Sequence, residues 1–222
     1  MRFWQNEMSC LLPTQNKMGL FLSASGLSGV SSADVEASLQ SYQSKKQRQF
    51  YPAAGTTEDP GILVMTESSD KKVFLLYPGD FLEWDELSKH LSHELQCPVF
   101  SFHIHDGDLW MFVFFVQGEE VTRFNPIPNY WDDGISDEEM RSWQGDASLV
   151  YSNWPGITEE SINRYFTRWN LDAEIQEKAY PDDEFQIGTD WQMCDFIKKL
   201  GLIYPMDKAG KLLGKTFYFV TE

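Results

Sequence analysis

The chain has 222 residues, of which 42% are hydrophobic and 15% aromatic, so it does not have the composition of a disordered protein. Its 34 Asp and Glu residues outnumber its 18 Lys and Arg residues, which gives a formal net charge of -16. Nucleic acids and anionic membranes attract proteins through Lys and Arg. We therefore expect neither as a partner, and this charge favours a basic protein instead.

The cysteines and the apolar runs indicate the compartment. Cys10, Cys97 and Cys194 are odd in number and widely spaced, which excludes a disulfide framework and a thiolate zinc site. The first 17 residues contain no apolar run of signal-peptide length. The longest apolar run, LWMFVFFV, is too short to cross a bilayer as a helix. We expect a soluble protein of the cytoplasm.

The first half of the chain alternates strand and helix patterns. We expect residues 1–17 to be a loose arm before a single domain at 18–222. A strand at 19–25 precedes a helix, where Ser31 and Asp34 resemble a capping pair. Two short strands follow, at 62–66 and 72–77, and then a helix at 82–95 and a strand from 98. This order is that of a ferredoxin-like βαββαβ unit. The fold class expected is α+β, with a central and mostly antiparallel sheet.

The stretch from Cys97 to Pro126 predicts two long strands that form a hairpin. Asp106 and Gly107 lie between its apolar runs, and Asp-Gly is typical of a type I′ turn because both central residues need a positive φ. The second arm, 109–116, is apolar at every position. Such a strand is normally covered on both faces, so we expect the hairpin in mid-sheet.

The two parts of the domain are expected to differ in role. Residues 18–126 would form the sheet core, with its helices on one face. Residues 127–222 would form a mostly helical cover for the other face and add a final strand. Within this cover we expect a short acidic helix in SDEEMRSW, a clearer helix after Thr158 and another at 191–200.

One candidate site is the hairpin turn itself. His103 and His105 are two residues apart on a strand and so point to the same face. With Asp106 or Asp108 they can share a metal ion. The simpler interpretation is that Asp-Gly is a turn and that the histidines are ordinary strand residues. We therefore predict no metal and no other cofactor.

A second candidate site is a stretch in which aromatic residues adjoin acids. Interface cores favour Trp and Tyr, and acids at the rim attract basic partners. We expect a partner-binding surface formed by Tyr130, Trp131, Asp132, Asp133, Asp137, Glu138, Glu139 and Trp143.

Two segments carry a resemblance. LWMFVFFVQGEEVTRFNPIPNYW, at 109–131, and DFIKKLGL, at 195–202, resemble sequences of uncharacterised bacterial proteins of unknown function. The chain is also loosely similar in size and charge to immunity proteins of bacterial toxin systems. The second resemblance implies binding of a basic protein.

The function expected is therefore that of a non-catalytic, acidic, intracellular protein–protein interaction module, with immunity-like binding of a basic partner. The chain contains no GxSxG element and no glycine-rich phosphate loop. The alternative is a small-molecule or metal-binding protein, or a hydrolytic enzyme, with a pocket near His103–Asp108. A homodimer formed through an open sheet edge is a further possibility.

Overall fold

The computed structural model describes residues 19–53, 61–170, 177–207 and 211–221, so the arm predicted at 1–17 lies outside the described residues. The strands are β1 (Leu22–Ser28), β2 (Phe50–Pro52), β3 (Ile62–Glu67), β4 (Lys72–Leu76), β5 (Pro98–His105), β6 (Leu109–Val116), β7 (Glu119–Phe124) and β8 (Lys215–Phe219). The helices are α1 (Ser32–Lys45), α2 (Trp84–Leu95), α3 (Asp137–Ser142), α4 (Ala147–Asn153) and α5 (Gln192–Lys199). Within the described ranges, no helix combines the length and apolarity needed to cross a membrane.

The strands form one antiparallel sheet in the order β2-β8-β3-β4-β1-β5-β6-β7. Its middle strands, β3-β4-β1-β5, together with α1 and α2, reproduce the ferredoxin-like unit. The predicted α+β class and strand–helix order are therefore confirmed. The hairpin β5–β6 lies inside the sheet, as predicted, because β1 and β7 flank it.

The sheet is covered on both faces. Along β5, Val99 belongs to the core beneath α1 and α2, whereas Phe100 and Phe102 belong to the core beneath the C-terminal residues. Trp110, Phe112 and Phe114 of β6 are at most 1% exposed in that second core. Full burial of one such side chain contributes about 1.5–3 kcal/mol. Helices α1 and α2 thus cover one face of the sheet, and the C-terminal residues cover the other.

A buried cation joins the sheet to the C-terminal layer. The Nζ atom of Lys72, on β4, donates to the carbonyl oxygen of Leu200 at 2.7 Å. The indole nitrogen of Trp154, just after α4, donates to the same oxygen at 2.9 Å. Cations are favourable at a helix C-terminus, and these two donors fix the end of α5 against the sheet.

The helix predicted after Thr158 is wrong. Residues Glu159–Ser161 and Asn163–Phe166 form two 3₁₀ turns instead. The amide of Arg164 donates to the Tyr180 hydroxyl at 3.2 Å, and the amide of Trp169 donates to the Pro126 carbonyl at 3.2 Å. Because tertiary partners take these amides, a continuous helical ladder does not form.

The two-strand interpretation of 97–126 is incomplete, because the stretch forms three strands. Gln117 and Gly118 both have positive φ, 53° and 84°, and they reverse the chain between β6 and β7. The sequence pattern also missed β2 and α4.

By contrast, the predicted cap of α1 is confirmed: the amide of Asp34 donates to Ser31 Oγ, and the Ser31 amide donates to the Asp34 carboxylate.

The β5–β6 turn gives a direct test of this hairpin. Gly107 has a φ of 70°, and a Cβ atom added there would make only ordinary contacts, the nearest at 3.5 Å. Gly107→Ala should therefore act through backbone strain alone and lower the free energy of unfolding by about 1–2 kcal/mol. Urea denaturation measures this change.

The matched control is Gly79→Ala. Gly79 is exposed, lies outside the left-handed region and has open space around its Cβ position. The control should change stability by less than about 0.5 kcal/mol. Equal effects at the two positions would contradict the turn geometry.

Candidate interaction surface

The β5–β6 turn is held rigidly at one end of the sheet. Asp106 and Gly107 have φ values of 54° and 70°, as the type I′ prediction requires. The amide of Asp108 donates to the His105 carbonyl at 2.9 Å, and the amide of Gly107 donates to the Leu20 carbonyl at 2.9 Å. The turn is therefore tied to the chain just before β1.

Tyr130 and Trp131 lie directly on this turn. The Tyr130 hydroxyl donates to the Asp108 carboxylate at 2.6 Å. The indole nitrogen of Trp131 donates to His105 Nε2 at 3.3 Å. The structure thus joins two sites that the sequence analysis treated separately, the hairpin turn and the aromatic–acidic stretch.

His105 is at the centre of an aromatic cluster. Its ring centroid is 5.0 Å from that of Phe21, 5.8 Å from that of Tyr130 and 4.9 Å from that of Trp131. All three pairs have edge-to-face geometry, which is the favourable arrangement of aromatic rings.

The cluster is open to solvent and surrounded by carboxylates. The Trp131 side chain is 54% exposed and that of Phe21 is 45% exposed. We call this patch the tip surface and define it by Phe21, His105, Asp106, Asp108, Tyr130, Trp131, Asp132 and Asp133. Its four aspartates are all exposed.

The hydrogen bond between Tyr130 and Asp108 has an electrostatic consequence. Because the hydroxyl proton is shared with a carboxylate, the pKa of Tyr130 is raised to about 12. Tyr130 therefore remains a neutral donor at physiological pH. In the following loop, Asp132 accepts from the Gly134 amide at 2.7 Å and Asp133 accepts from the Asn129 side chain at 3.3 Å.

The remaining predicted residues lie on and after α3. Asp137, Glu138 and Glu139 occupy its first turn and are exposed, where negative charge complements the helix dipole. The Trp143 ring packs against Arg123 of β7, whose guanidinium carbon is 4.5 Å from the ring centroid. Trp143 is thus already engaged by a cation of its own chain.

His103 is a buried residue of the sheet that packs against α2. It lies on the same face of β5 as His105, with a separation of 5.7 Å between ring centroids, but it is 8% exposed and stacks on Trp84 of α2 at 4.4 Å. Burial, with a smaller contribution from His105, lowers the pKa of His103 to about 4. Among the described residues, no group of three or more His, Cys, Asp or Glu side chains is arranged to hold a metal ion.

Sequence analysis missed Asp190, which lies just before α5. A Cβ atom on Gly107 would be 4.0 Å from its carboxylate, so this acid lies behind the turn. Burial, with a smaller contribution from the charge of Asp108, raises the pKa of Asp190 to about 6. The only local signal was an acid at a helix start, which does not indicate proximity to residue 107. Phe21 was missed because its contact with His105 depends on the pairing of β1 with β5.

No protein-family model, no curated protein and no solved structure matches the chain. The function must therefore be argued from the geometry of the tip surface.

The raised pKa of Asp190 generates a pH prediction. The pKa of Asp190 is about 6 in the folded protein, above its ordinary value of 3.8. The stability that this group contributes is therefore fully present when the pH is below 3.8. It is lost as the pH rises through about 6. Asp190→Asn should therefore gain stability relative to the wild type between pH 4 and 7, by on the order of 1–3 kcal/mol. Urea denaturation at each pH measures the difference.

His103 has the opposite effect, because its lowered pKa makes stability increase with pH in an overlapping range. It is present in both proteins, so the difference between the two curves isolates Asp190. Asp133→Asn, which removes the same charge from an exposed position, is the control. A pH-independent difference between Asp190→Asn and the wild type would show that partial burial does not raise the pKa of Asp190.

Proposed function

We propose that this chain is a non-catalytic interaction protein that binds a basic protein partner through the tip surface. The observation that supports this proposal is the placement of Tyr130 and Trp131 on the β5–β6 turn by hydrogen bonds to Asp108 and His105. This placement leaves a half-exposed tryptophan among four exposed aspartates.

The aromatic side chains of the tip surface are already ordered in the free protein. An interface loses about 0.5–1.5 kcal/mol for each flexible side chain that it immobilises. Tyr130 and Trp131 already have hydrogen-bond partners and edge-to-face neighbours in the free protein. Aromatic side chains that are held in place in this way are the residue types that carry most of the binding energy at interfaces.

The negative charge of the protein favours a basic partner. The net charge of -16 attracts a basic partner over a distance and raises the association rate. On contact, the four aspartates would pair with Lys and Arg at the rim. An Arg or Lys side chain would also pack on Trp131, which is 54% exposed, and Trp is the best residue type for a cation–π contact.

The two edges of the sheet are poorly suited to self-association. Edge strand β2 has three residues, and edge strand β7 carries Glu119, Glu120 and Arg123. Short and charged edges discourage pairing between sheets. These features favour a different protein over a second copy of this chain.

The similarity in size and charge to immunity proteins suggests the class of partner, which is a basic toxin domain. We place this interaction in the cytoplasm. Cys97 and Cys194 are both free thiols, as is usual in a reducing compartment.

The alternative function, a ligand site or hydrolytic centre near His103–Asp108, has less support. His103 is stacked beneath Trp84. His105 Nε2 accepts from Trp131. The His103 imidazole is therefore buried away from a substrate, and the Nε2 atom of His105 already has a partner within the chain.

The proposal is tested by charge reversal at the tip surface. Tagged wild-type protein should retain a basic protein from native-host lysate and release it at raised salt. The double variant Asp132→Lys, Asp133→Lys should retain much less of that protein. With the purified partner, its association rate constant should fall about 10-fold or more at low salt, because steering is electrostatic. Stopped-flow fluorescence measures this rate.

The matched control is Glu67→Lys, Asp70→Lys. Both acids are exposed beside the β3–β4 turn. Ser28, at one end of β1, pairs with Lys72 beside this turn, whereas Leu22, at the other end of β1, pairs with Ile104 near the tip surface. The control therefore makes the same change in net charge at the opposite end of the sheet. Equal slowing in both double variants would mean that net charge, and not the tip surface, guides association.

A further inference from the structure

The tip surface is smaller than a stable protein interface. It contains eight residues, whereas a specific and stable interface contains about 20–30 residues on each side. A partner that docks stably on the tip surface therefore also contacts further residues of this chain. The exposed side chains at the same end of the sheet indicate which residues these are.

The segment between β4 and α2 lies at the same end of the sheet as the β5–β6 turn. Leu76, the last residue of β4, pairs with Ala24 of β1. The amide of Tyr77 then donates to the Ser23 carbonyl at 3.1 Å, and Ser23 pairs with His103 on the other side of β1. The chain therefore leaves β4 and enters α2 close to the β5–β6 turn.

A row of stacked and tilted rings connects the start of α2 with the tip surface. The ring centroid of Trp131 is 4.9 Å from that of His105, which is 5.7 Å from that of His103. The ring centroid of His103 is in turn 4.4 Å from that of Trp84, in α2. We call these four rings the aromatic row. His103, in its middle, is buried and Trp84, at its far end, is half-buried.

The far end of the aromatic row resembles the tip surface in composition. Leu82, just before α2, is 78% exposed, the largest exposure of any large hydrophobic side chain in the described ranges. A single exposed leucine is common on protein surfaces, but exposed carboxylates flank this one at Asp80 and Asp85. Glu83, between them, is engaged by cations of its own chain. An exposed apolar side chain therefore lies among acids at both ends of the row.

We propose that the binding surface for the basic partner continues from the tip surface along the aromatic row to Leu82, Asp80 and Asp85. This inference rests on the proposed function, because it extends the same interface. Leu82 would enter an apolar pocket of the partner, and the two aspartates would pair with Lys or Arg at the rim. A second copy of this chain would present the same carboxylates, and like charges across an interface are unfavourable.

Site-specific photocrosslinking tests both ends of this surface. The photoreactive amino acid p-benzoylphenylalanine is placed at position 131, at position 82 or, as the control, at position 213, and the products formed in native-host lysate are identified by mass spectrometry. Leu213 is 40% exposed and lies just before β8, whose first residue, Lys215, pairs with Met65 towards the β3–β4 turn. The same basic protein should crosslink at positions 131 and 82 but not at 213.

The affinity of that protein, once purified, measures the contribution of Leu82. Leu82→Ala should weaken binding about fivefold or more, which is the effect of a residue that contributes to binding energy. The variant should fold, because the side chain that it shortens is 78% exposed. Leu213→Ala makes the same change at the opposite end of the sheet and should leave the affinity unchanged. Isothermal titration calorimetry measures both affinities.

The outcomes separate this inference from the proposed function. Crosslinking at position 131 but not at 82, or an unchanged affinity in Leu82→Ala, would overturn the extension and leave the tip surface as the binding site. Crosslinking at neither position would contradict the proposed function as well. A crosslink from position 82 to a second copy of this chain, or within the same chain, would overturn the assignment of the basic partner to this surface.

Discussion

The structure depends on the burial of a strand that is apolar at all of its eight positions, β6. A strand that is apolar on both faces is normally covered on both faces, so the chain must form one layer on each side of the sheet. The ferredoxin-like helices α1 and α2 cover one face of the sheet and the residues after β7 cover the other. Lys72 and Trp154 then fix the second layer by donating to the same carbonyl at the end of α5. Hydrophobic burial thus selects the architecture. The two buried hydrogen bonds to the Leu200 carbonyl fix the position of the second layer against the sheet.

The need to cover both faces of β6 also leads to the tip surface. The covering layer begins where β7 ends, and the amide of Ile127 donates to the Asn125 side chain as the chain leaves the sheet. The Pro126 carbonyl is held by the amide of Trp169. A few residues later, Tyr130 and Trp131 reach the β5–β6 turn, whose position is fixed by strand pairing. Exposed aromatic residues and aspartates therefore meet on a rigid support, although they are distant in sequence. A rigid support lowers the conformational entropy that binding at this surface would cost.

Local signals predicted much of this fold because each of them acts within a few residues. Asp106-Gly107 predicted its turn, and Ser31 with Asp34 predicted the start of α1. The features that the sequence did not predict depend instead on contacts between residues that are distant in sequence. The stretch after Thr158 has helical spacing, but Tyr180 and Pro126 take its amides. The hydrogen bond of Tyr130 to Asp108 spans 22 residues, and no periodicity reports such a contact. Asp190 looks like an ordinary acid until the fold buries it behind Gly107.

We propose that the partner docks on the tip surface. Hydrogen exchange on the complex with the captured basic protein can show this, since it reports which backbone amides become protected. Docking there should slow exchange at 105–109 and 130–133 and leave exchange unchanged at the β3–β4 turn, 68–71, at the opposite end of the sheet. A stable complex in which 105–109 and 130–133 exchange as in the free protein would contradict it.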